Sequence, residues 1–256
     1  MAAVAPEHFS DPVGAYNRLA PHYAQLCVRR KAYLEAVETL ILHRIPAGSH
    51  SLLDLGSGDG KRALRIAQTA GIERLVMLEP AVEMPAQGTG RGELWSIRAE
   101  DLRPDSISAR FDVITCLWNV LGHITTSDKR QQALSSAAHL LSTGGRLFLD
   151  FIHRYNLRSY GIVPTCARWI RDRVAWSDEN GDVTARWLDG AIDTYGHVFT
   201  HREMVRLAKA AGLEIEARIV LDYDNGKEHG FACMGNLLYI FRRSSRIDSF
   251  SAPQTW

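Results

Sequence analysis

The sequence predicts an α/β fold: a mainly parallel sheet with helices packed on both faces. Three observations carry this. Short apolar runs of strand character alternate with segments of helical periodicity along most of the 256 residues, the pattern of successive βαβ units. A glycine-rich turn, "LGSGDG" (55–60), follows one such run and opens a helix. Acidic residues stand at the ends of three successive runs, where sheets of this kind bind their ligands.

The elements follow in order. The first dozen residues and the polar end "SSRIDSFSAPQTW" read as frayed termini. Tyr33, Val37, Leu40, Ile41 and Ile45 recur at helical spacing. "SLLDL" is the first strand, and the helix after its glycine turn stops at Gly71. "RLVMLEP" is the second strand, "GELWSIRAEDL" the third and "FDVITCLWN" the fourth. "RQQALSSAAHLLSTGG" is a helix and "RLFLDFI" the fifth strand. Thr200 to Glu203 form a capping box, opening a helix that Gly212 closes before "LEIEARIVL" and "GNLLYIFRR".

Residues 153–199 break the rhythm. Asn180-Gly181 signals a tight hairpin turn, flanked by Trp169, Trp176 and Trp187 among alternating charges. This predicts an inserted β-ribbon, serving either as a cover over the active-site edge or as a homodimer contact.

Composition narrows the function. With 46% hydrophobic and 23% charged residues the chain is an ordinary globular protein with a full core. A formal charge of +1 argues against a nucleic-acid surface. Cys27, Cys116, Cys166 and Cys233 are scattered without a C-x-x-C pair, which suits reduced cysteines in a cytoplasmic protein and no metal site. No apolar run approaches the roughly 18 residues of a membrane helix, and "MAAVAPEHFSDP" lacks the features of a signal peptide.

The glycine turn is the sharpest motif. Gly56, Gly58 and Gly60 give G-x-G-x-G, not the G-x-G-x-x-G of a dinucleotide site. Asp54 at the strand tip would repel a pyrophosphate but suits a cationic amino-acid group. Glu79 ends strand two, where a carboxylate accepts both hydroxyls of a ribose, and Glu100-Asp101 are placed to accept the exocyclic amine of adenine. Ribose, adenine and an amino-acid group without phosphate describe S-adenosylmethionine.

On "LLDLGSGDG", "MLEP" and "AEDL" the chain resembles the class I S-adenosylmethionine-dependent methyltransferases from about Tyr16 to Arg243. The resemblance implies a Rossmann-like, seven-stranded mixed sheet ending in a reversed strand pair, and no metal. "YNRLAPHYAQL" looks like that family's N-terminal lid helix, with Tyr16 and Tyr23 facing the pocket. The organisation expected is lid helices over 1–45, a cofactor-binding half over 46–152, and a ribbon cap over 153–199. A helix and reversed strands over 200–243 and a flexible tail over 244–256 complete it. The cofactor set is Asp54, Gly56, Ser57, Gly58, Gly60, Glu79, Pro80, Glu100, Asp101, Leu117, Trp118 and Arg30.

The acceptor reads as a small molecule. The Asn/Asp-Pro-Pro-aromatic run of DNA amino-methyltransferases is absent after strand four, as are a Pro-Cys pair and a basic run with interleaved aromatics, although Arg168, Arg171 and Arg173 fall on the insertion. "CLWNVLGHI" is similar to the matching segment of glycine N-methyltransferase-like enzymes, with Trp118 in place of a glycine. "DFIHRYN" is similar to the stretch in which their arginine holds the substrate carboxylate, implying Arg154 here. The resemblance makes Asn119, His123 and Tyr23 the catalytic candidates, and Arg154, Tyr16, Tyr155 and Trp118 the acceptor contacts. The expected reaction is methyl transfer to an amine nitrogen of an amino-acid-like or amino-sugar metabolite. Its alternatives are O-methylation of a natural product and a non-catalytic S-adenosylmethionine-binding module.

Overall fold

A computed structural model describes residues 11–84 and 92–244, so the expectations for 1–10 and 245–256 lie outside the described residues. Helices α1 (Pro12–Leu19), α2 (Tyr23–Arg29) and α3 (Lys31–Leu42) come first. Asp11 caps α1 by accepting the Gly14 N–H, and Pro12 sits at the first helical position, where its missing N–H is no loss. Asp11 and Pro12 therefore begin an ordered helix where the sequence suggests fraying.

Strands β1 (Ser51–Leu55), β2 (Arg74–Leu78), β3 (Glu93–Trp95), β4 (Phe111–Cys116) and β5 (Leu141–Phe151) pair in parallel in the order β3-β2-β1-β4-β5. Every residue of β1 is buried, as a strand covered on both faces requires. Neighbouring residues of one strand point to opposite faces. Leu52, Val113 and Phe148 meet Tyr33, Val37 and Ile41 of α3 and Ile66 of α4 (Lys61–Ala70). Leu53, Ile114 and Leu149 meet Leu134 and Ala137 of α5 (Ser127–Leu140) and Met204 and Leu207 of α8 (His201–Ala210).

Beyond β5 the sheet becomes mixed. Strand β10 (Asn236–Arg243) runs antiparallel between β5 and β8 (Leu213–Leu221), and the two-residue β9 (Glu228–His229) extends the edge. Among the described residues the sheet has eight strands where the sequence leads to seven, because β9 is too short to leave a pattern. The third strand is shorter than expected: pairing stops at Trp95, and Ala99–Asp101 form a 3₁₀ turn.

The insertion contains α6 (Leu157–Tyr160), α7 (Ile162–Val174) and an antiparallel ribbon of β6 (Asp182–Trp187) and β7 (Ile192–His197). The ribbon exists, but Asn180-Gly181 is not its turn. Those residues end a 3₁₀ turn capped by Ser177, and the hairpin closes at Leu188–Gly190, with Leu188 and Asp189 at positive φ. Gly181 serves close packing instead: a Cβ there would lie 2.4 Å from the His197 ring. Trp169, expected on the ribbon, belongs to α7.

Two sets of contacts root the ribbon over the carboxyl ends of β1 and β4. Ile192 packs with Ala15, Leu19 and Leu26 of the N-terminal helices. Buried Arg130 donates to the Tyr195 hydroxyl at 2.9 Å, Tyr195 donates to Asp182 at 2.6 Å, and His197 bridges Asp182 and Glu203 at 2.6 and 2.9 Å. Such a network fixes the register of β7 more firmly than apolar packing alone.

Candidate active site

The turn after β1 forms the floor of a cleft. Gly58 has φ +59°, and a Cβ there would stand 2.8 Å from the Tyr23 hydroxyl, so both the backbone and the closeness of α2 demand glycine. Glu79, at the end of β2, accepts the Gly58 N–H at 2.8 Å and the Ala81 N–H at 2.9 Å. Burial raises its carboxyl from the ordinary 4.5 to about 7, the two backbone donors only partly opposing this. Asp54 lies deeper, receives the Thr115 hydroxyl at 2.6 Å, and is raised by burial to about 6.

A cavity opens above this floor. It brings together Tyr16, Tyr23, Gly56, Gly58, Glu79, Pro80, Glu100, Leu117, Trp118 and His123. Among the described residues Asp54, Ser57, Gly60 and Asp101 stay off its wall: Asp54 is beneath it, and Asp101 faces outward beside buried Glu100. Pro12, Val13 and Arg98 line it and were missed, Pro12 because the first dozen residues read as a terminus. The buried Ser57 hydroxyl has no partner within the protein, an orphaned polar atom beside the glycine turn that suits a bound amino-acid group. Two buried acids and a backbone-lined turn fit a nucleoside with such a tail better than a pyrophosphate.

The loop after β4 explains the Trp-Asn pair of "CLWNVLGHI". Trp118 and Asn119 both take φ +62°, a conformation that non-glycine residues adopt only when held. Asp150 at the end of β5 holds them: its carboxylate accepts the Trp118 N–H, and its main-chain carbonyl accepts the Asn119 N–H at 3.3 Å. The Asn119 side-chain oxygen accepts the Ile152 N–H at 3.1 Å, and its amide nitrogen donates to the His197 carbonyl at 3.2 Å. Its amide is committed to backbone, so Asn119 shapes the loop and holds the ribbon in place. Asp150 also accepts the Tyr33 hydroxyl at 2.5 Å. A lone acid in the apolar run "RLFLDFI" was its only sequence signal.

His123 has a defined proton arrangement. Its Nδ1 lies 3.0 Å from the Tyr195 carbonyl, which can only accept, so Nδ1 carries the proton. Nε2 is then an acceptor, and the Tyr16 hydroxyl donates to it at 2.9 Å. Burial pulls the imidazole below its ordinary 6.5 despite the Tyr195 carbonyl, and burial also pushes the Tyr16 phenol upward. Both groups are neutral near pH 7.

A second, wider cavity lies between the ribbon, α7 and the N-terminal helices. Tyr16, Trp118 and His123 line both cavities and form the partition between them. The Trp118 indole N–H donates to the Tyr223 hydroxyl at 3.0 Å, and its ring lies 5.7 Å from that of Tyr23.

Three expected contacts fall elsewhere. Arg154 is 2% exposed and bound to Asp172 of α7, with Nη2 to Oδ1 and Nε to Oδ2 both at 2.7 Å, which leaves its fork no room for a substrate carboxylate. Tyr155 donates to the same carboxylate at 2.5 Å and faces a different cavity, on the α7–α8 side. Arg30 pairs with Asp224, lies 4.2 Å over the Tyr223 ring and lines the wider cavity, away from the glycine turn.

A family model described as a methyltransferase domain matches residues 24–218. The comparison with curated proteins finds no match. Among solved structures the chain is similar to the 1,6-didemethyltoxoflavin-N1-methyltransferase of Burkholderia thailandensis (17% identity, 96% of this chain and 92% of that one, TM-score 0.61). It is also similar to CalS10, an amino pentose methyltransferase from Micromonospora echinaspora (19%, 87% and 97%, TM-score 0.58). A third is the CcbJ methyltransferase of Streptomyces caelestis (15%, 82% and 90%, TM-score 0.59). At these identities the likeness is one of fold.

Proposed function

This chain belongs to the methyltransferase domain family, and we propose that it transfers the methyl group of S-adenosylmethionine to a hydroxyl oxygen of a small molecule. One observation carries the reading. The partition between the two cavities holds an oriented, neutral base, His123, whose Nε2 accepts a hydrogen bond from the Tyr16 hydroxyl.

Bound at the glycine turn, S-adenosylmethionine supplies an activated methyl group. Glu79 and Glu100 serve the nucleoside, Gly56 and Gly58 let it approach the backbone, and the Ser57 hydroxyl and Asp54 serve the amino-acid end. Tyr23 covers Gly58 and, with Trp118, keeps water from the transfer point. In the wider cavity Tyr16 accepts the acceptor's proton as its own passes to His123 Nε2, and the Tyr195 carbonyl steadies the imidazolium. A hydroxyl needs this relay because its proton must leave as the new bond forms. An amine carries its proton away as an ammonium product and gains little from a base weaker than free histidine.

The amine expected from the sequence is the second reading, and the names of the amino pentose and N1-methyltransferase neighbours favour it. His123→Ala separates the two, with a hydroxylated and an amine metabolite panel followed by mass spectrometry. The oxygen reading expects a fall in kcat of about 10²–10⁴ with unchanged cofactor affinity, and in the wild type a loss of rate as pH falls below 6.5. A near-normal rate in His123→Ala returns the assignment to nitrogen.

A further inference from the structure

The wider cavity carries an uneven charge. Of the arginines on α7, Arg168 alone lines it; Arg173 stacks on Trp169 on the other side, and Arg171 donates to the Asn180 carbonyl. The Arg168 guanidinium lies 3.9 Å over the Tyr160 ring and donates to the Arg154 carbonyl at 3.3 Å. No carboxylate pairs with it among the described residues, and it is only partly exposed. Arg30 stacks on Tyr223 in the same cavity, and its one carboxylate partner, Asp224, is 75% exposed at the side chain, which makes a weak pair. Tyr160 and Tyr223 line the same cavity. Tyr223 in turn receives the Trp118 indole N–H. The other acids of the cavity, Asp189 and Asp193, stand exposed at the hairpin, and Asp193 is paired with Arg186 at 3.7 Å.

We propose that the methyl acceptor carries an acid group, a carboxylate or a phosphate, held by Arg168 with Arg30 beside it. A guanidinium held over an aromatic ring can still present N–H groups to the two oxygens of such a group. The ring fixes its direction before the ligand arrives, which reduces the ordering required on binding. Arg154, the arginine that the sequence points to, is closed off by Asp172, whereas Arg168 stands fourteen residues later on the helix that carries Asp172 and looks into the cavity. Tyr16 and His123 line the same cavity as Arg168, so the acceptor is a molecule that carries both a hydroxyl and an acid group.

The assignment rests on the wider cavity being the acceptor site, and its test reads binding and not catalysis. The protein, saturated with S-adenosylhomocysteine, is titrated by calorimetry with 4-hydroxybenzoate, phenyl phosphate and the neutral 4-hydroxybenzamide. At least one acid is expected to bind roughly ten-fold more tightly than the amide, which one charge-assisted hydrogen bond can supply. Which acid wins separates a carboxylate site from a phosphate site. Arg168→Gln should abolish the preference and Arg168→Lys retain part of it, with S-adenosylhomocysteine affinity unchanged in both. His123→Ala should keep the preference whether or not methyl transfer survives, so the two proposals fail separately. Equal binding of acid and amide, no binding of either acid, or a preference that persists in Arg168→Gln overturns the assignment.

Discussion

Replacing Glu79 by glutamine should change how the protein's stability depends on pH. The carboxyl is 7% exposed and titrates at about 7 instead of 4.5, because burial penalises its charge more than two backbone donors favour it. The folded state therefore binds a proton that the unfolded chain releases between those values. Stability is full below pH 4.5 and is lost as pH rises to about 7, in total about 3 kcal/mol at about 1.36 kcal/mol per pH unit. Asp54 adds a fall of the same sign between 3.8 and about 6, so only the difference between wild type and variant isolates Glu79. Glutamine cannot ionise, and its amide nitrogen leaves one of the Gly58 and Ala81 N–H groups without an acceptor, a cost of about 1–3 kcal/mol at every pH. Urea unfolding of both proteins from pH 5 to 8 should show the wild type's advantage shrinking by about 2–3 kcal/mol across the range. Wild-type affinity for S-adenosylmethionine should rise with pH through about 7, as the carboxylate that the ribose hydroxyls favour becomes populated, while the variant's stays flat. Parallel stability curves would falsify the account of Glu79 as a buried, cofactor-facing acid.

Two other substitutions separate architecture from chemistry. Arg154→Ala strands Asp172 in the interior and should cost about 3–5 kcal/mol in chemical denaturation, with cofactor affinity unchanged under conditions where it folds. A raised acceptor KM at wild-type stability would return Arg154 to the substrate. Asp150→Ala leaves the Trp118 N–H and the Tyr33 hydroxyl unpaired and should destabilise by about 2–5 kcal/mol while depressing methyl transfer. Full activity in that variant would show that the left-handed Trp118–Asn119 pair holds itself.

The cavity at the glycine turn was largely legible because its signals are local. A short apolar strand, a glycine turn and an acid at the next strand end each occupy a few consecutive residues, and the parallel sheet brings strand ends together whatever the side chains between them. Gly58, Glu79 and Glu100 accordingly line one cavity. The wider cavity was legible in residue type and not in partner. "DFIHRYN" offered an arginine for the substrate, but its carboxylate is Asp172, on a helix that reads as ribbon when charges alternate. Asn119 looked catalytic through the resemblance of "CLWNVLGHI" to glycine N-methyltransferase-like enzymes, yet its two polar atoms are taken by the Ile152 N–H and the His197 carbonyl.

Sequence alone determined the fold class, the glycine turn and the acids at the strand ends, since periodicity and short turns depend on neighbours along the chain. Tertiary structure decided which polar groups remain available to a ligand. Tyr16 meets His123 across 107 residues, and the Tyr195 carbonyl that sets the imidazole's proton comes from the far strand of the ribbon. A hydrogen bond is made once, with whichever partner the fold brings near. That choice separates the committed Arg154 from Arg168, and no local pattern records it.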